Sequence, residues 1–195
     1  MAKPYWKSDK HLREAISDHK NGRIESAFKK YDAIIDSNPE NVFPYRYIAS
    51  LFRELNRNDL AIDALQAAHS ILSKRKNIHS GRQDHNVDHD GLFFTDSSIS
   101  SDLASLLAIE QRNVEALSLA LEAIEDNQFD EQAREISIYL LSNSGKIENA
   151  IEIFETAPET VKTKYSVCLA LAISLIRAGR TEEAIKYRNM GLELP

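Results

Sequence analysis

Residues 45–52 read Tyr45-Arg46-Tyr47-Ile48-Ala49-Ser50-Leu51-Phe52, and this stretch, followed by Ala61 and Leu65, decides the fold of the chain. Its large, bulky apolar, small and aromatic residues recur at intervals of three and four, which is the spacing of one helical face. Ala61 and Leu65 stand four residues apart and begin a second apolar stripe. The stretch predicts two antiparallel helices whose small residues allow a close approach of the helix axes, about 8–10 Å apart.

The same arrangement recurs along the chain. Equivalent alanines are separated by 34 residues, except that one interval contains 21 additional residues: Ala27, Ala61, Ala116, Ala150 and Ala184. Glycines share a second phase, at Gly22, Gly145 and Gly179. Because glycine readily adopts the left-handed conformation that ends a helix, these positions predict turns within helical pairs. A fixed period of this length indicates a repeat protein, in which each repeat contacts only its neighbours.

The period predicts a short leader, residues 1–7, and a single array, residues 8–195. The five predicted repeats are residues 8–41, 42–75, 97–130, 131–164 and 165–195. Between the second and the third repeat, residues 75–96 form a polar, turn-rich insertion. Pro158 is expected to end the second helix of the fourth repeat early, because proline removes a helical hydrogen bond.

These motifs resemble those of tetratricopeptide-repeat (TPR) proteins over residues 8–73 and 97–195. The resemblance implies an all-α fold, a right-handed superhelical solenoid of about five antiparallel helix hairpins with one inserted loop. It also implies that the first helix of each hairpin lines a concave groove, and that this groove binds a peptide or a partner helix.

Transferring the groove positions of the family to each repeat gives a mixed surface: Leu12, Ile16, His19, Arg46, Tyr47, Ser50, Arg53, Ser101, Asp102, Ser105, Glu135, Tyr139, Asn143, Leu169, Ile173 and Arg177. Seven of them are the predicted partner-binding residues: Arg46, Tyr47, Ser50, Arg53, Ser105, Tyr139 and Asn143. Arg46 and Arg53 stand seven residues apart on one helical face. They either bind an acidic partner, since arginine pairs with carboxylates in a bidentate manner, or form salt bridges within the chain.

Two specialised subgroups of such repeats do not fit the sequence. One subgroup binds a C-terminal carboxylate through asparagines and basic residues on its first helices. The matching positions in this chain hold none of these residue types: Leu12, Ile16, Tyr47, Ser98 and Asp102. A related repeat family with a slightly longer period reads single-stranded RNA, one base per repeat. The strict period and the acidic composition of this chain speak against RNA binding.

Composition narrows the function classes further. The 24 Lys and Arg against 30 Asp and Glu give a net charge of −6, which argues against a general affinity for nucleic acid or anionic membranes. The single cysteine excludes an internal disulfide. No apolar run reaches the ~20 residues that span a bilayer, and the N-terminus lacks the apolar segment of a signal peptide. We therefore expect a cytoplasmic protein.

The insertion contains the sharpest local motif. Residues 86–91, Asn-x-Asp-x-Asp-Gly, resemble the start of a calcium-binding loop, but the first residue is not Asp and Ser97 stands where a bidentate Glu is needed. Alternatively, His79, His85 and His89 offer ligands for zinc. A solvated polar loop explains the same composition and is the interpretation that we favour. We predict no metal and no cofactor.

The sequence contains no catalytic constellation: no glycine-rich phosphate loop, no nucleophile elbow and no paired-carboxylate motif on a pocket-like scaffold. Cys168 is expected to be a buried packing residue. His11 and His19 are expected at the surface. In the first repeat, polar His11, Glu14 and Asp18 replace the usual large residues, which we attribute to a terminal repeat with one face in water.

The leading hypothesis is a non-catalytic protein–protein interaction scaffold, or adaptor. The alternative is the N-terminal substrate-recognition or oligomerisation region of a larger enzyme, such as a glycosyl- or sulfotransferase, by family analogy. A third hypothesis is a homo-oligomer formed through the C-terminal edge. Ile173, Ile176 and Ile185 would contribute to that edge, although core packing is the commoner fate of isoleucine.

Overall fold

A computed structural model describes residues 10–78 and 96–192, which contain eleven helices and no strand. The helices are α1 Lys10–Lys20, α2 Ile24–Ser37, α3 Val42–Glu54, α4 Asn58–Ile78, α5 Asp96–Ile109, α6 Asn113–Asp126, α7 Glu131–Asn143, α8 Ile147–Glu155, α9 Glu159–Lys162, α10 Tyr165–Arg177 and α11 Thr181–Leu192. The predicted all-α class is confirmed. Within the described ranges, no helix is long and apolar enough to cross a membrane.

The chain divides into two compact units, residues 1–99 and 100–195, and the boundary lies in the first turn of α5. The first unit contains the hairpins α1–α2 and α3–α4. The second contains most of α5 with α6, then α7–α8 and α10–α11, with the one-turn helix α9 before the last hairpin. Helix α4 continues to Ile78, so the chain is helical beyond residue 75, where the insertion was predicted to begin. The predicted leader lies outside the described residues.

Small residues line the contacts between paired helices. The five phased alanines are at most 2% exposed, as their spacing predicted. A second buried row follows seven residues later in each repeat: Ile34, Ala68, Ala123, Ala157 and Gly191. A Cβ atom added to Gly191 would lie 2.9 Å from Cβ of Cys168, so α10 and α11 approach too closely there for any side chain. Cys168 is fully buried, as predicted, and burial raises the pKa of its thiol.

All five hairpin turns have one geometry. The turn residue has a positive φ in each: Gly22 (71°), Asn56 (56°), Gln111 (60°), Gly145 (78°) and Gly179 (77°). The amide of the following residue bonds back to a carbonyl five residues earlier, for example Lys146 N to Leu141 O at 2.9 Å. This is the Schellman ending of an α-helix. The repeat therefore imposes left-handed backbone even where the residue is not glycine.

Asp18 in the first unit is buried, not water-facing as the sequence interpretation assumed. Its carboxylate accepts hydrogen bonds from Ser26 Oγ at 2.5 Å and Arg23 Nη2 at 2.6 Å, and it forms an ion pair with Lys30 Nζ at 2.8 Å. Lys30, Ser26 and Arg23 hold the pKa of Asp18 well below its usual range. A buried carboxylate is tolerated here because three donors compensate its lost hydration.

Arg134 in the second unit is also buried, with 2% exposure. Its guanidinium donates to the carbonyl oxygen of Gln128 at 3.0 and 3.2 Å and to that of Ile153 at 2.6 Å. Burial lowers its pKa. Arg134 thus satisfies carbonyl groups at the end of α8 and in the turn before α7.

Candidate partner-binding face

In the second unit, the first helices α5, α7 and α10 present equivalent residues at 34-residue intervals. One row is Ser105, Tyr139 and Ile173, and a second row, one helical turn later, is Ile109, Asn143 and Arg177. Tyr139 is 47% exposed, Ile173 41% and Ile109 59%. Residues four apart lie on the same side of a helix, so the two rows form one surface. We call these six residues the first-helix face.

Two contacts join α7 to α10 on this face. Arg177 Nη1 donates to Asn143 Oδ1 at 3.4 Å, and the Arg177 Cζ atom lies 5.9 Å from the ring centre of Tyr139. The second contact has the geometry of a cation–π interaction. The structure therefore brings together two of the predicted partner-binding residues, Tyr139 and Asn143, with Arg177.

Other positions on these helices are less accessible. Ser105 is half-buried, and Ser101, at 3% exposure, is buried rather than in the groove. The carbonyl oxygen of Ser101 accepts a hydrogen bond from Gln132 Nε2 at 3.3 Å. Glu135 is half-buried, and burial raises the pKa of its carboxyl, with Glu131 adding to the effect.

In the first unit, α3 carries the other predicted partner-binding residues. Ser50 and Arg53 are exposed, whereas Arg46 and Tyr47 are half-buried. The Tyr47 ring stacks on that of Tyr31, with centroids 5.6 Å apart and planes 3° apart. Tyr47 is thus engaged with the core of the first unit.

Helix α1 corrects two further expectations. Leu12, predicted in the groove, is fully buried in the core of the first unit. The His19 side chain, predicted at the surface, is only 11% exposed. Its Nε2 atom lies 3.1 Å from Glu54 Oε1, and its ring meets that of Tyr31 edge-on. His11 is exposed, as predicted.

The sequence interpretation missed Ile109, although it stands 34 residues before Asn143 and belongs to the same row. It also favoured core burial for Ile176 and Ile185, which are 58% and 45% exposed. These isoleucines lie on α10 and α11. Periodicity identifies equivalent positions, but it does not show whether a neighbouring helix covers them.

Residues 10–78 and 96–192 contain no group of three or more His, Cys, Asp or Glu that could hold a metal ion. The calcium-like motif at 86–91 and His79, His85 and His89 lie outside the described residues, so the choice between metal site and polar loop stays a prediction.

No protein-family model and no curated protein matches this sequence. Solved structures do match. The MamA protein superposes with a TM-score of 0.70 at 16% identity, covering 94% of this chain and 88% of MamA. PilF of Pseudomonas aeruginosa gives 0.67 at 17%, covering 95% and 75%. YrrB, a TPR protein with an unusual peptide-binding site, gives 0.65 at 15%, covering 94% and 84%. This chain therefore has the tetratricopeptide-repeat fold.

Proposed function

We propose that this chain is a non-catalytic scaffold that binds a segment of another protein on the first helices of its repeats. The observation that carries the proposal is the first-helix face of the second unit. Tyr139 and Ile173 expose large side chains at equivalent positions of consecutive repeats. Exposed apolar side chains that are grouped on one surface and interspersed with polar groups are typical of interaction sites.

The alternation of side chains on this face suits a peptide or a helix. Apolar Ile109 and Ile173 flank the polar pair Asn143 and Arg177, so a bound segment can bury apolar groups while its polar groups find donors. Helical and extended ligands both meet such a surface through side chains at regular intervals. The peptide-binding site of YrrB, which shares the fold, supports the same assignment.

The face can be tested with matched variants. The full chain, tagged, captures partners from native extract, and Ile173→Ser is compared with Ile185→Ser. Both isoleucines are similarly exposed, at 41% and 45%, but Ile185 lies on the second helix α11. We expect Ile173→Ser to weaken capture about tenfold, the effect of losing one good apolar contact, and Ile185→Ser to leave it unchanged.

If a partner were captured equally by both variants, or lost only with Ile185→Ser, the first-helix face would not be the binding surface. Circular dichroism before capture shows whether each variant keeps its helix content, so that loss of binding is distinguished from loss of folding. Because both positions are at the surface, we expect both variants to fold.

A second proposal is self-association through α10 and α11. Ile176, Ile185 and Leu192 are 58%, 45% and 59% exposed on these two helices. Exposed apolar groups of this size favour contact with another protein surface. Light scattering of the full chain over a concentration series checks this proposal, and a monomer throughout would exclude it. A cytoplasmic location, and a role as the recognition region of a larger enzyme, also remain proposals.

A further inference from the structure

Among the described residues, Arg177 forms no ion pair with a carboxylate, although the second unit is rich in Asp and Glu. Residues 100–192 contain nine Lys and Arg against fifteen Asp and Glu. Arg112 pairs with Glu115 through two hydrogen bonds at 2.7 and 2.9 Å. Arg180 similarly bonds two glutamates. Arg177 bonds an amide oxygen and faces a tyrosine ring, and it meets no carboxylate in the described part of the chain.

The two neighbours of the Arg177 guanidinium, an amide oxygen and an aromatic ring, orient this group without neutralising its charge. Asn143 Oδ1 accepts a hydrogen bond from one of its N–H groups at 3.4 Å, and the centre of the Tyr139 ring lies 5.9 Å from its Cζ atom. The other N–H groups have no acceptor among the described residues, and the side chain is exposed. A guanidinium with a preferred orientation loses less conformational entropy when it binds a planar anion such as a carboxylate.

An apolar surface lies beside this cation. Ile173 precedes Arg177 by one helical turn and is 41% exposed. Tyr139, 47% exposed, adds an aromatic ring whose centre lies 5.9 Å from the Cζ atom of Arg177. The four residues Tyr139, Asn143, Ile173 and Arg177, which we call the Arg177 site, thus offer a positive donor and an apolar contact within one turn of helix.

We infer that the Arg177 site binds an Asp or Glu side chain of a partner segment, together with an apolar side chain next to it. This inference rests on the proposed scaffold function and specifies its ligand. A protein carboxylate fits better than a nucleic-acid or lipid phosphate surface, because the excess of acidic over basic side chains in residues 100–192, fifteen against nine, repels an extended polyanion.

Selection from a random peptide library tests the inference, because such a selection requires no identified partner. Phage-displayed 12-residue peptides are selected on the full chain, on Arg177→Gln and on Arg188→Gln. Arg188 is the matched control, since it is exposed and bonds an asparagine side chain, Asn189, but lies on the second helix α11. The best peptide and its Glu→Gln or Asp→Asn analogue are then titrated against each protein.

We expect the wild-type chain and Arg188→Gln to select peptides in which an acidic residue adjoins an apolar one. Arg177→Gln should bind the best peptide about tenfold more weakly and should not distinguish it from its amide analogue, because a charge-assisted hydrogen bond contributes about this much. Binders without acidic enrichment, or enrichment that persists in Arg177→Gln, would overturn the inference and leave the scaffold function standing. A library that yields no binder would count against both.

Discussion

The first repeat and the three repeats of the second unit use the same repeat position for opposite chemistry. Asp18 in the first unit is equivalent, by the repeat period, to Leu107, Leu141 and Leu175 in the second. All four side chains are buried, and the leucines are 1%, 7% and 0% exposed. The leucines are stabilised by removal from water, whereas Asp18 depends on three specific donors. The fold thus fixes which positions are covered, and the neighbouring side chains decide which chemistry is tolerated there.

The exposed faces differ as well. Residues 10–78 contain twelve Lys and Arg against nine Asp and Glu, the reverse of the acidic excess in the second unit. The tyrosine of α3, Tyr47, stacks on the core of the first unit, whereas Tyr139 of α7 is turned to solvent. The second unit therefore offers the more apolar binding surface, and the first unit the more basic one.

The largest expected effect tests whether the units unfold separately. Phe154 is fully buried in the second unit, edge-on to Tyr187 at 5.1 Å between ring centres. We expect Phe154→Ala to lower the free energy of unfolding of this unit by about 4 kcal/mol, through lost burial and the cavity that remains. Hydrogen exchange should show loss of protection in α7, α8, α10 and α11 and none in α1–α3. Equal loss in α1–α3 would show one cooperative body instead.

The second largest expected effect is the contribution of Asp18 to the stability of the first unit, which depends on pH. Because the pKa of Asp18 is lowered in the folded state, its ion pairs stabilise this unit fully above the ordinary aspartate pKa of about 3.9 and lose that contribution as pH falls further. We expect Asp18→Asn to be less stable than the wild type at pH 7 and to lose less stability between pH 5 and pH 3. Urea unfolding of both proteins across this range measures the difference, and parallel curves would contradict it.

The smallest effect compares one turn from each unit. Gln111 and Asn56 both have positive φ, but asparagine tolerates left-handed backbone better than glutamine. We expect Gln111→Gly to raise the free energy of unfolding by about 0.5–1 kcal/mol and Asn56→Gly to change it less, since glycine removes the strain but adds unfolded-state entropy. Thermal unfolding measures both variants. A larger gain in the free energy of unfolding from Asn56→Gly than from Gln111→Gly would contradict the expectation that glutamine is the more strained of the two residues.

Much of the fold could be predicted because its signals are local and periodic. The phased alanines and glycines identified five hairpins, and Pro158 marked the early end of α8 at Glu155. The candidate site was predictable only in part. Tyr139 and Asn143 were assigned to the groove from the family pattern. Leu12, Ser101 and Tyr47 were assigned from the same pattern, but their side chains are wholly or partly buried. Exposure depends on neighbouring helices, which a repeat pattern does not describe.

The sequence by itself determined the helical repeat, its phase and the small residues at close contacts, because helix periodicity and turn chemistry depend on residues near one another in the chain. The tertiary structure alone decided that Asp18 is buried among three donors and that Arg177 is held by Asn143 and Tyr139. These environments are assembled from side chains up to 38 residues apart, on different helices, and they exist only when the helices pack.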